Sequence, residues 1–271
     1  MKKFIGVYDV IGAQIAQLTG FDGLWIGSYQ ISLSLGIKDD ENYNPNIVLD
    51  LCDRIKKNFI SLPIIIDAGS GFPNDDEIIK FADYCKINKN IIAICIDDND
   101  SKRTNSMLEN DDRRILSTKN FVKRINHIKS FFKSDMLFIA RTEIITKYKE
   151  YTNLKEINYK CNILLKNAAN AFLPHYVGSD LNFYKSMCNS IKNKKFLISI
   201  PTGLIQTDVE YFDKLNIEII IYANLDIRIR IQNIIDAYNK INNGSGYVNK
   251  LPTATEIKDF IDLINADNYI L

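Results

Sequence analysis

The chain has 271 residues, 46% hydrophobic and 25% charged, with a formal net charge of +1. This is an ordinary globular balance, and the near-neutral charge leaves no electrostatic footprint for nucleic acid or a membrane surface. No apolar run reaches bilayer-spanning length, and the size is normal for one α/β barrel.

The N-terminus, "MKKFIGVYDV", enters an apolar run at 3–7 directly, without a signal-peptide core or cleavage site. Further strand-like runs follow at 23–27, 63–66, 91–96, 136–140, 171–173, 196–200 and 217–222. Between them "PNIVLDLCDRIKKNF", "DDEIIKFADYCK" and "TKNFVKRINHIKSFF" carry apolar residues at helical spacing. Eight strands alternating with helices predict a parallel (β/α)8 TIM barrel, one domain over 1–271. An open doubly wound sheet is the alternative. The strand count and the lack of G-x-G-x-x-G after the first strand favour the barrel. The polar segment 97–116 has the length of a lid or a disordered loop. After "NNGSG" a last helix is expected within a 243–271 extension, capped by Thr253 or Thr255.

Cys52, Cys85, Cys95, Cys161 and Cys188 form no C-x-x-C pair, and their number is odd. They read as buried free thiols of a cytoplasmic protein. With two histidines and no cysteine pair beside them, a zinc site is not expected. His127, inside "KRINHIKS", reads as a helix-surface residue.

Chemistry in an α/β barrel sits at the C-terminal strand ends. Gly27 and Ser28 follow the second strand, on a loop reaching Asp39. Asp67 ends the third, Asp97 and Asp98 the fourth, and Arg141 the fifth, with Glu143 close behind. Pro174 and His175 follow the sixth, Pro201 and Thr202 the seventh, Asn224 the eighth. Barrel closure would aim these groups at one mouth. Clustered carboxylates repel unless a cation holds them, and oxygen ligands alone suit Mg²⁺ or Mn²⁺. An arginine and a histidine opposite would receive a small anion. Trp25, at a strand end beside Gly27, is a core residue or a pocket wall.

These residues match a family. The chain resembles phosphoenolpyruvate mutase, within the isocitrate lyase superfamily, from about Gly6 to Leu263. The motifs are "GVYDVIGAQIAQLTGFDGLWIGSYQISLSLGIKDD", "KRTNSML", "ARTE", "PHY", "IPT", "YANLDIR" and "YVNKLPTATEIKDFIDL". The resemblance implies interconversion of phosphoenolpyruvate and phosphonopyruvate, with formation of a carbon–phosphorus bond. It implies Mg²⁺ (Mn²⁺ as an alternative) held at Asp67, with Asp39 and Asp97 acting largely through water. Backbone amides at Gly27 and Ser28 would take the substrate carboxylate, and Trp25 would cover the pyruvyl plane. Arg141, His175 and Asn105 would hold the phosphoryl group. Arg103, Asn105 and Ser106 would belong to a closing loop that excludes water. A homodimer or homotetramer exchanging a C-terminal helix is also implied.

The chain departs from the family pattern at several of these positions. D-G-D-T-G is Asp67-Ala68-Gly69-Ser70-Gly71, without the second acid. The strand-four glutamate is Asp97, and the gating lysine is Arg103, with Lys102 beside it. Gly27, Tyr29 and Gly203 stand where a serine, a leucine and a lysine are usual. The related ketopantoate hydroxymethyltransferases also lack that second acid and still use Mg²⁺. Three readings therefore stand: the mutase; a phosphonopyruvate hydrolase or a 2-oxo acid C–C lyase or decarboxylase; and a non-catalytic homologue. Retention of Asp39, Asp67, Arg141 and His175 together opposes the last.

Overall fold

A computed structural model describes residues 1–39, 46–58, 60–100, 114–133, 135–148, 152–193, 196–246 and 255–258. The elements run β1 (Lys2–Gly6), α1 (Val10–Leu18), β2 (Gly23–Ile26), α2 (Ser28–Ser34), α3 (Asn46–Lys57), β3 (Ile64–Asp67), α4 (Asp75–Ile87) and β4 (Ile91–Asp97). They continue with α5 (Thr118–Lys129), β5 (Leu137–Thr142), α6 (Ile144–Tyr148), α7 (Leu154–Asn167), β6 (Ala171–Pro174) and α8 (Leu181–Ser190). The last are β7 (Ile198–Ser199), α9 (Val209–Asp213), β8 (Ile219–Tyr222) and α10 (Leu225–Asn242).

The strands are parallel, in the order β6-β5-β4-β3-β2-β1-β8-β7. Single parallel bridges, Phe172 with Leu197 and Tyr176 with Pro201, join the two ends. The result is the expected (β/α)8 barrel. Each predicted strand is present, displaced by at most a few residues. The run expected at 196–200 shortens to β7 because Phe196 sits at φ 68°, which breaks the extended chain.

The helices bury one face each. In α3 the buried residues are Val48, Leu51, Cys52 and Ile55, the spacing of one helical stripe. Side-chain caps start several helices: Asp9 accepts from Gly12 N, Asn74 from Glu77 N, and Asp180 from Asn182 N and Phe183 N. The helix-facing core surrounds a second, inner one. Phe4, Trp25, Ile65, Cys95, Ile139, Leu173, Ile198 and Ile221 fill the barrel interior.

All five cysteines are free and buried. His127 is exposed on α5, 2.9 Å from Asp75 Oδ1. The last helical turn described, 255–258, contains Thr255, whereas Thr253 lies outside the described residues. Among the described residues no helix is long and apolar enough to cross a membrane.

Candidate active site

Along a strand every second side chain points inward. Ile65, Cys95, Ile139 and Leu173 are inward residues of the barrel. Two positions further on stand Asp67, Asp97, Arg141 and His175, so the same period delivers all four to the C-terminal mouth. They line one cavity of about 100 Å³ together with Trp25, Gly27, Ser28 and Asp39. Tyr29, Thr202 and Asn224 also border it. Arg103, Asn105 and Ser106 lie outside the described residues. The stems of that polar segment are joined by a bridge between Asn99 and Ile115 and by Asp100 N donating to Arg114 O at 2.6 Å.

Arg141 does not stand opposite the acids; it lies among them. The reason is register: Arg141 and Asp97 are direct cross-strand partners of β5 and β4, and β3 is next in the sheet. Arg141 Nη1 donates to Asp67 Oδ2 at 2.6 Å, and Nη2 donates to Asp97 Oδ2 at 2.7 Å. Its Nε is 2.9 Å from Glu143 Oε1, close enough for an ion pair but not aligned as a hydrogen bond. Burial opposes the guanidinium charge, yet Asp67, Glu143 and Asp97 outweigh it and hold the pKa well above the usual value. Burial pushes the Asp97 carboxyl up, with Arg141 pulling the other way.

Beneath this pair lies Glu143, a residue whose role the sequence did not disclose. It is fully buried. Both of its carboxylate oxygens lie 2.9 Å from His175 Nδ1, and Thr146 Oγ1 donates to Oε2 at 2.7 Å. Burial would raise its pKa, but His175 and Arg141 overcome that and hold it below the ordinary carboxylate range.

Asp98 faces away from the mouth, because neighbouring residues of a strand point to opposite sides. It accepts from Thr142 Oγ1 at 2.6 Å and from Glu143 N at 2.8 Å, and it pairs with buried Lys160. Asp98 therefore fixes the turn that presents Glu143.

Two departures have steric correlates. A Cβ at position 203 would lie 2.3 Å from Gly178 O and 2.4 Å from Val177 O, so no lysine fits there without moving backbone. A Cβ at position 27 would come within 3.1 Å of Trp25 Nε1.

The protein-family model for phosphoenolpyruvate phosphomutase matches residues 2–242. The chain belongs to the phosphoenolpyruvate phosphomutase family. Phosphoenolpyruvate phosphomutase of Tetrahymena pyriformis is 22% identical over 261 residues, 96% of this chain and 85% of that protein. The crystal structure of phosphoenolpyruvate phosphomutase from Streptomyces platensis subsp. rosaceus superposes with a TM-score of 0.84 at 19% identity, covering 99% of this chain and 93% of that one. A phosphonopyruvate hydrolase solved with oxalate and Mg²⁺ gives a TM-score of 0.80 at 20% identity, covering 100% and 95%. At these identities the two structures establish the shared barrel.

Do this family member's residues suit a divalent cation? Among the described residues, no three His, Cys, Asp or Glu side chains cluster closely enough to hold a metal by themselves. Mg²⁺ does not need such a cage; it is commonly bound through one or two carboxylates and several waters. Asp67 and Asp97 supply oxygen donors of that kind. Two buried acceptors in the same wall, Gln30 Oε1 and Asn99 Oδ1, have no hydrogen-bond partner among the described residues. Neither residue had a signal in the sequence. A hydrated cation would supply the missing donors, so the set fits.

Gly69 lies in the cavity wall at φ 55°, a conformation that glycine adopts freely and aspartate tolerates. Gly69→Asp would restore the family's second acid. It should tighten Mg²⁺ binding by about 1 kcal/mol or more in a calorimetric titration. Unchanged or weaker binding in the folded variant would show that carboxylate charge does not limit affinity.

Proposed function

We propose that the chain interconverts phosphoenolpyruvate and phosphonopyruvate. The observation that supports this reading is one cavity in which Arg141 and His175 stand beside the carboxylates Asp67 and Asp97. Mg²⁺ or Mn²⁺ held at Asp67, with Asp39 and Asp97 acting largely through water, would supply Lewis-acid polarisation of a 2-oxo acid. Trp25 walls the pyruvyl plane, and the Gly27 and Ser28 amides receive the carboxylate. Arg141 exchanges part of its carboxylate pairing for phosphoryl oxygens, and His175 adds a second donor. Such donors answer the negative charge that a loose phosphoryl-transfer transition state spreads over its oxygens. By the family resemblance Asn105 would add a phosphoryl contact, and Arg103, Asn105 and Ser106, outside the described residues, would belong to a loop that excludes water, which would otherwise take the group.

The test is phosphonopyruvate with Mg²⁺, followed by phosphorus NMR. Phosphoenolpyruvate formation is the expected result. Free phosphate would assign a hydrolase instead, and no change would move the reading to a C–C lyase, a decarboxylase or a non-catalytic homologue. Asp67→Ala should abolish metal-dependent turnover, as should chelation; full activity in either case would overturn the metal reading.

The proposal extends to assembly. Ile227 is the buried residue of α10, while Ile229, Ile234, Ile235, Tyr238 and Ile241 are exposed. An apolar helix left open in this way fits packing against another copy of the chain, as a homodimer or homotetramer. Sedimentation will read the oligomer directly.

A further inference from the structure

We infer that Glu143 is the positioning residue of the site: one buried carboxylate sets the proton on His175 and the orientation of Arg141. The inference deepens the reading above and rests on it only for the nature of the anion. Glu143 is fully buried, yet its two oxygens face His175 Nδ1 on one side and Arg141 Nε on the other. A buried ionised carboxylate is costly, and an apolar side chain would fill the same volume more cheaply. Its geometry explains its presence.

An ionised carboxylate only accepts hydrogen bonds, so the nitrogen beside it must carry a proton. Nδ1 of His175 is that nitrogen. This is the less favoured neutral tautomer of a free histidine side chain, and Glu143 selects it. Nε2 is then left for the cavity that His175 lines. Nε2 donates to an anion only in the imidazolium, where both ring nitrogens carry a proton. On the other side, Glu143 occupies the Nε edge of the guanidinium. The Nη1 and Nη2 atoms are thereby turned to Asp67 and Asp97, at the cavity. Asp98 holds the Glu143 backbone through Glu143 N, so the carboxylate is itself anchored. Arg141 and His175 are thus placed relative to each other at the mouth by a residue that is shielded from solvent.

The chain has two histidines, which makes a spectroscopic test direct. Protein labelled with ¹⁵N-histidine should show two imidazoles, and His127→Asn, on the exposed face of α5, identifies which belongs to His175. In the wild-type protein at neutral pH, the coupling pattern of His175 should show a protonated Nδ1. In Glu143→Gln that pattern should be lost, and affinity for oxalate with Mg²⁺ should fall about tenfold or more, the loss expected for a charge-assisted contact. A bare Nδ1 in the wild-type protein would overturn the inference, and this arm holds even if the variant fails to fold. So would a Glu143→Gln protein that keeps both the pattern and the oxalate affinity. The spectra need no turnover, so failure of the phosphonopyruvate assay would leave this result standing, and the reverse also holds.

Discussion

Arg141→Gln should lower folding stability by about 3–5 kcal/mol and abolish turnover. The guanidinium is the shared cation of Asp67, Asp97 and Glu143, whose side chains are 16%, 4% and 0% exposed. Without it these carboxylates face one another in a poorly hydrated mouth. Removing one partner of a buried pair is expensive because the other charge stays behind. Glutamine keeps much of the length and donates hydrogen bonds, so lost volume is not the main effect. Urea unfolding of wild type and variant measures the cost. Adding Asp97→Asn should recover part of it, since that substitution removes one uncompensated charge. Mg²⁺ should also raise the variant's stability by binding the folded state. A loss below about 1 kcal/mol, as seen for exposed pairs, would mean that water screens the cluster.

The second large effect lies behind the site. Lys160→Met should destabilise the barrel by about 3–5 kcal/mol. Lys160 and Asp98 are 2% and 0% exposed, and the ammonium also donates to Leu116 O at 3.3 Å. Methionine matches the stem of the lysine but leaves Asp98 charged, with Thr142 Oγ1 and Glu143 N as its remaining donors. Lys160→Met combined with Asp98→Asn should therefore be more stable than Lys160→Met alone. Denaturant titration of the three proteins checks this order. If the double variant is the least stable, the ion pair does not account for the loss.

Much of this architecture was legible in the sequence. Runs such as "IIID" and "IIAICID" are too apolar for anything but buried strands, and each ends where the mouth begins. Asp67, Asp97, Arg141 and His175 were visible because they follow those runs directly. Their mutual arrangement was not, since it depends on sheet register, which no single strand carries. That is why Arg141 came out among the acids rather than across from them. Position after the strand alone left Asp97 and Asp98 equivalent, and only the family resemblance singled out Asp97; strand alternation sends Asp97 to the cavity and Asp98 to Lys160. Glu143 was present in "ARTE" without a role, because its partner His175 is 32 residues away. Gln30 and Asn99 are amides in positions that no motif distinguishes.

The closure of the barrel has a consequence for how the molecule opens. β6 and β7 meet through single bridges and through Phe172 N donating to Phe196 O at 3.1 Å, whereas the other neighbouring strands pair as ladders, the shortest of them β7 with β8. The seam is the edge paired through isolated bridges alone, so transient separation should begin there. His175 follows β6, yet its amide donates at 3.1 Å to Thr142 O, on the β5 side. The histidine is therefore fastened to the intact wall, beside Glu143 and Arg141. The barrel can breathe along the β6–β7 seam while its reactive groups keep their spacing, much as a door swings without shifting its frame.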